Sequence, residues 1–87
     1  VCAVVTDCDK DGSATLSLRN KFAAGDEIEL VGPDSRPFTM TAPVMEDSEG
    51  FALHEPRTPQ MVFKMKLPRY VPPMSFVRHA VQLSAKD

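Results

Sequence analysis

Apolar and polar residues alternate along most of this chain with a period of two. The segment 13–19 alternates Ala14, Leu16 and Leu18 with polar residues, and the segment 61–67 repeats the pattern. Such alternation is typical of strands that have one buried face and one solvated face. The pattern therefore predicts an all-β domain.

Turn-forming residues divide the chain into about seven strands. Glycine and proline mark the breaks, for example at Asp11-Gly12 and Pro72-Pro73. The predicted strands are 1–7, 13–19, 27–31, 36–41, 51–54, 61–67 and 74–78. A turn every 8–12 residues or so is typical of a small barrel or sandwich, and we predict a closed or partly open barrel. Because the chain holds eight prolines, Ala23-Ala24 and the tail after His79 are expected to form at most one helical turn.

The length of the chain allows one domain, residues 1–87, with a small core. No apolar run approaches the ~20 residues needed to cross a bilayer, so we expect no membrane partner. The chain opens inside an apolar pattern at Val1, and we expect it to be a fragment of a larger protein. Cys2 and Cys8 would lie about 20 Å apart on an extended strand, beyond disulfide reach. Reduced cysteines favour a cytoplasmic location.

The segment from Asp7 to Gly12 matches the opening of a calcium-binding EF-hand loop. The twelfth position of that loop should supply a bidentate carboxylate, but Leu18 occupies it. Asp-Gly between two alternating segments is a strong hairpin signal, because glycine accepts positive φ. We therefore predict a hairpin and no calcium site.

The candidate catalytic groups are the two cysteines, the two histidines (His54 and His79) and several serines. The sequence contains no Gly-x-Ser-x-Gly elbow and no cysteine at a helix start. A Cys–His pair brought together by folding stays open. The histidines lack companions at metal-ligand spacing. We expect no catalytic residue, metal or cofactor in this chain.

Charge is distributed unevenly along the chain. Residues 1–50 hold ten acids and four bases, a net charge of −6, and residues 51–87 hold two acids and six bases, a net charge of +4. The asymmetry indicates an anion-binding face or simply two sets of exposed positions. Basic grooves with aromatic platforms are a common way to hold single-stranded nucleic acid. The candidate binding residues in the basic half are Lys64, Lys66, Arg69, Tyr70, Arg78 and His79.

Five methionines could form a flexible binding surface or fill gaps in the core. Met40, Met61 and Met65 fall on the predicted inner faces of strands. We therefore expect gap-filling for these three.

The most distinctive segment is residues 19–33. Phe22 is expected to anchor a loop, Gly25 and Asp26 to form a tight turn, and Ile28 to enter the core with Leu30. The segment closely resembles the signature of the C-terminal domain of the collagenase-like peptidase family U32. The residues that carry the resemblance are Arg19, Asn20, Lys21, Phe22, Gly25, Asp26, Glu29, Gly32 and Pro33.

This chain departs from the family pattern at three places. Relatives usually have a glycine near the position of Ala3, which this chain lacks. Relatives also have a Pro-His-Pro-x-Gln pattern where this chain has Arg57 in place of the histidine, so no role of the family histidine carries over. The closing basic residues of many relatives correspond to Arg78 and His79 here.

The resemblance implies a small β-barrel similar to the second domain of translation elongation factors. In the family this barrel follows a larger catalytic domain, and members include proteases and proteins required for hydroxylating tRNA or ribosomal RNA bases. We therefore expect a non-catalytic accessory domain that positions RNA or a protein substrate for an enzyme. The alternative is a docking domain that packs on the catalytic domain or on a second subunit. An exposed apolar patch, formed by Val44, Met45, Val71 and Met74, would favour docking.

Overall fold

The chain forms eight β-strands in a computed structural model, which describes residues 1–33 and 36–80. The strands are β1 (Ala3–Cys8), β2 (Ser13–Leu18), β3 (Glu27–Val31), β4 (Phe38–Thr41), β5 (Met45–Glu46), β6 (Ala52–Leu53), β7 (Val62–Lys66) and β8 (Phe76–His79). The described residues contain no helix. The all-β prediction is confirmed. The described part therefore has no helix that could cross a membrane.

All eight strands join one antiparallel sheet in the order β4-β3-β8-β1-β2-β7-β5-β6. The sheet curls into a half-barrel that leaves β4 and β6 at its two edges, so the partly open form of the predicted barrel is the one observed. The last strand, β8, lies between β3 and β1. The β3–β4 hairpin is therefore attached to the rest of the sheet through β8.

Residues on the concave side of the sheet form one apolar core. The predicted inner positions of β2 and β7 are buried, and Phe63 packs against Phe22 with ring centroids 5.9 Å apart. Met65 is buried, and Met40 and Met61 pack against the core, which confirms their predicted gap-filling role. The largest fully buried side chains include Phe63, Leu16, Leu18, Ile28, Leu30, Met45, Met65 and Leu67.

A tight turn joins β1 to β2 where the sequence predicts a hairpin. The amide of Gly12 donates to the carbonyl of Asp9 at 3.0 Å, and Gly12 has a φ of 97°. Asp11 accepts from the Ser13 amide at 3.1 Å, and this hydrogen bond lowers the pKa of the Asp11 carboxyl. The hairpin prediction is confirmed.

The structure corrects the strand count and several boundaries. The additional strand is β5, whose two residues are too few to show a period. The predicted strand 74–78 instead begins at Phe76, because Met74 has a φ of 77°, outside the extended region. Residues 81–87 of the predicted tail, and Asp34 of the Gly32-Pro33-Asp34 turn, lie outside the described residues.

The expected apolar patch of Val44, Met45, Val71 and Met74 is wrong for two of its four members. Met45 is 2% exposed because it lies on the inner face of β5 opposite Leu53, and Val71 is 6% exposed. Val44 and Met74 are exposed as expected.

Candidate nucleic-acid interface

The segment 19–33 forms the loop and strand that the sequence predicts. Phe22 is buried in the core, and the Asp26 amide donates to the Ala23 carbonyl to close a turn. A second hydrogen bond joins the same two residues, because Asp26 Oδ2 accepts from the Ala23 amide at 2.9 Å. Gly25 adopts a φ of 96° in this turn. This segment thus supplies structure, and it presents Asp26 to the end of β8.

Two of the predicted basic residues, Lys64 and Lys66, project from the outer face of β7. The residue between them, Met65, is buried, so the predicted placement of both lysines on one face is confirmed. Lys64 pairs in register with Glu46 of β5, and Lys66 Nζ lies 3.4 Å from Asp11 Oδ2. Acidic neighbours therefore offset part of the positive charge on this strand.

Arg78 and His79 lie at the end of β8, away from the lysines. Strands β1 and β2 separate β8 from β7, which corresponds to about 14 Å across the sheet. Arg78 Nε donates to Glu29 Oε1 at 2.7 Å, and His79 Nε2 lies 3.5 Å from Asp26 Oδ2. The six predicted residues are thus distributed over three places, and two of these places carry acidic partners.

The third place is a groove lined by residues of β3, of β4 and of the segment that follows β7. Arg69 and Tyr70 line this groove together with Arg36 and Phe38, and we call it the arginine–tyrosine groove. The Arg69 guanidinium carbon lies 4.4 Å from the centre of the Phe38 ring, a cation–π contact. The Tyr70 side chain is 47% exposed, which leaves a ring available for contact. The cavity volume is about 310 Å³.

The electrostatics of the arginine–tyrosine groove differ from those of β7 and β8. Within residues 1–33 and 36–80, neither Arg36 nor Arg69 forms a salt bridge with a carboxylate. Leu30 and Val71, both buried, form the apolar side of the cavity. Two guanidinium groups, an exposed phenol ring and an apolar wall suit a ligand that is both anionic and planar.

Sequence reasoning found Arg69 and Tyr70 but missed Arg36 and Phe38. Phe38 looks like an ordinary strand residue, and Arg36, where the predicted strand begins, lies two residues before β4. The groove arises because β8 pairs with β3, so the segment leading into β8 passes beside the β3–β4 hairpin. That pairing has no signal in the local pattern.

Folding also brings Cys2, His79 and Asp26 together, which the sequence left open as a Cys–His pair. Cys2 Sγ lies 3.6 Å from His79 Nδ1, and the other ring nitrogen faces Asp26. This order of thiol, imidazole and carboxylate is the one that activates nucleophilic cysteines. Here burial raises the pKa of the Cys2 thiol above its ordinary value, and Cys2 is only 3% exposed. The arrangement therefore holds a neutral, buried thiol.

Cys2 and Cys8 are both free thiols, and both are buried. In the described segments, no group of three or more His, Cys, Asp or Glu side chains is placed to hold a metal ion.

The stability of the domain is expected to fall as the pH rises above the ordinary thiol pKa of 9.0. The folded thiol keeps its proton to a higher pH than the unfolded thiol, so unfolding releases a proton in this range and alkaline pH favours unfolding. Urea unfolding between pH 7 and pH 10 measures the effect. Cys2→Ala should show a shallower alkaline loss, and an unchanged slope in this variant would contradict the assignment to Cys2.

The sequence and the fold both match known proteins. The model of the peptidase family U32 C-terminal domain matches residues 1–78. The tRNA hydroxylation protein P1 of Bacillus subtilis (strain 168) is 36% identical over 76 residues. That alignment covers 86% of this chain and 18% of the relative, so the chain spans about a fifth of the relative's length.

Two crystal structures of the C-terminal domain of a Geobacillus thermoleovorans protein assigned to the U32 peptidases share the fold. One aligns with a TM-score of 0.87 and 32% identity, covering 92% of this chain and 91% of the other. The other, a selenomethionine variant, aligns with a TM-score of 0.82 and 33% identity, covering 88% and 95%. The chain therefore belongs to peptidase family U32, as a C-terminal domain of that family.

Proposed function

We propose that this domain is a non-catalytic accessory module that contacts RNA, and that the arginine–tyrosine groove is its principal contact surface. The observation that carries the proposal is the pair of arginines without a carboxylate partner in the described residues, beside an exposed tyrosine. Phosphate attracts unpaired cations, and aromatic rings accept bases. The larger enzyme would use the module to position its substrate.

The class of RNA that we propose as the ligand is tRNA. The Bacillus subtilis relative is named a tRNA hydroxylation protein, and the alignment with it includes 86% of this chain. We extend that substrate class to this chain as part of the proposal. Lys64, Lys66, Arg78 and His79 would make secondary contacts, because each of them lies beside an acidic residue.

Titration of the isotope-labelled domain with tRNA is expected to shift the backbone amide signals around Arg69 and Tyr70 most strongly. Arg69→Ala should weaken binding several-fold and lower the salt dependence by about one counterion, since one phosphate contact is lost. Lys64→Ala is the matched control, because it removes the same charge from a position that faces Glu46. NMR titration at low and moderate salt measures both effects.

Two outcomes of this titration would redirect the proposal. A larger loss in Lys64→Ala than in Arg69→Ala would move the RNA surface to the outer face of β7. A folded domain that shows no shifts with tRNA would favour docking on the rest of the protein. Two exposed apolar side chains favour docking: Phe51, next to the β5–β6 turn, is 66% exposed, and Val62, at the start of β7, is 50% exposed.

A further inference from the structure

We infer that the arginine–tyrosine groove binds one unpaired nucleotide, with the base stacked on the outward face of the Arg69 guanidinium. This inference rests on the proposed function and names the form of RNA that the groove accepts. It assigns Phe38 as a positioning residue, because its ring lies against the other side of the Arg69 guanidinium group.

The contact between Arg69 and Phe38 carries the stacking part of the inference. The guanidinium carbon lies over the ring at 4.4 Å from its centroid, so Phe38 covers one side of the guanidinium group. Planar guanidinium groups stack on rings, and bases of single-stranded RNA stack on arginine planes as well as on aromatic side chains. Arg69 held in this way offers its second face as a platform, and it loses little rotational freedom when a base arrives.

The neighbouring side chains supply the remaining contacts of a nucleotide. Arg36 brings a second guanidinium group to the cavity for a phosphate, and the exposed Tyr70 adds a ring and a hydroxyl. The wall formed by Leu30 and Val71 is apolar, which suits the face or edge of a base and not a second phosphate.

The size of the cavity is compatible with a single nucleotide. A volume of about 310 Å³ lies at the lower end of the roughly 300–1,000 Å³ typical of small-molecule sites. A paired base is stacked inside its helix, and duplex RNA presents phosphates and 2′-hydroxyls across a wide surface. The groove therefore fits a base that is free of its helix, as in a loop or a bulge.

An acidic peptide would neutralise the positive charge of the groove, but it has no planar base to stack on Arg69. Carboxylates bind guanidinium groups through the N–H donors, and they make no use of the exposed Tyr70 ring or of a stacking surface beside Phe38. The stacked arrangement thus favours a nucleotide.

The test compares a short single-stranded oligoribonucleotide with the same sequence paired in a duplex, both containing 2-aminopurine. The 87-residue chain is suitable, because a related domain covered over 91% of its length has been crystallised alone. We expect tighter binding of the single strand, with quenching of the fluorescent base on stacking. Arg69→Lys keeps the charge but loses the plane, and it should weaken single-strand binding about fivefold or more and abolish the quenching.

Phe38→Leu tests the positioning role. It should reduce quenching and single-strand affinity while leaving the weaker duplex binding unchanged, which a general loss of folding would not do. Arg57→Lys is the matched control, because Arg57 is exposed and lies outside the arginine–tyrosine groove, and it should bind like the unchanged domain.

Each other outcome overturns the inference. Equal affinity for single strand and duplex, or unchanged quenching in Arg69→Lys, would refute the nucleotide site and leave general tRNA binding standing. Equal competition by poly-glutamate would identify an acidic-peptide site. Failure of the unchanged domain to bind any RNA would refute both the nucleotide site and the proposed function.

Discussion

Gly12→Ala is expected to destabilise the domain by about 2–5 kcal/mol. Gly12 has a φ of 97°, and a left-handed backbone costs an L-residue roughly 1–2 kcal/mol. In addition, a Cβ at this position would lie 2.3 Å from the carbonyl oxygen of Leu67. The Gly12 carbonyl also accepts from the Leu67 amide at 2.8 Å, so the two backbones cannot separate without losing a hydrogen bond. Relieving such a clash by moving packed backbone costs roughly 1–3 kcal/mol more.

Gly50→Ala provides the control for this effect. Gly50 has a φ of 88°, but a Cβ there would meet no atom within 4 Å. The free-energy cost of placing alanine in a left-handed backbone is therefore similar in both variants, and only Gly12→Ala adds a steric clash. Denaturant unfolding of both variants gives the difference directly. Equal losses would show that the close approach of Gly12 to Leu67 contributes nothing.

Phe63→Ala is expected to reduce the free energy of unfolding by roughly 3–5 kcal/mol. Phe63 is fully buried in β7, and its ring packs against Phe22 at a centroid distance of 5.9 Å. Truncation would leave a cavity between β7 and the 19–26 loop, and it would remove an aromatic contact worth about 0.5–1.5 kcal/mol. Because small domains are stable by only about 5–15 kcal/mol, this variant should be largely unfolded at modest denaturant concentration.

Phe51→Ala makes the same chemical change at a surface position. Phe51 is 66% exposed next to the β5–β6 turn, so its loss should change stability by no more than about 0.5 kcal/mol. Circular dichroism during denaturant unfolding compares the two variants. A similar loss in both would mean that Phe63 does not anchor the core.

The core of this domain was predictable because its strands are half-buried. Alternation assigned Leu16, Leu18, Ile28 and Phe63 to the inner face, and all four are buried. The β5 strand escaped prediction because two residues define no period, so Met45 was placed in a surface patch although it is buried. The alternation of apolar and polar residues thus predicts a strand only where the strand is long enough for the alternation to repeat.

The candidate site was only partly predictable, because it depends on which strands become neighbours. Lys64 and Arg78 looked like parts of one basic surface, but two strands separate them, and Glu46 and Glu29 lie opposite them. Arg36 and Phe38 join Arg69 only because β8 inserts beside β3. Register and strand order are long-range properties, which a local pattern of residue types does not encode.

The insertion of β8 between β3 and β1 has a consequence for how the domain is made. Ala3 pairs with Val77, so the two halves of the sheet are joined by a contact between opposite ends of the described chain. Of the strands in the described residues, β8 is synthesised last, and until then the β3–β4 hairpin has no partner among them. Closing so long a loop is slow, and topologies rich in distant contacts fold in milliseconds to seconds. We therefore expect this domain to acquire its structure in one late, cooperative step and not strand by strand during translation.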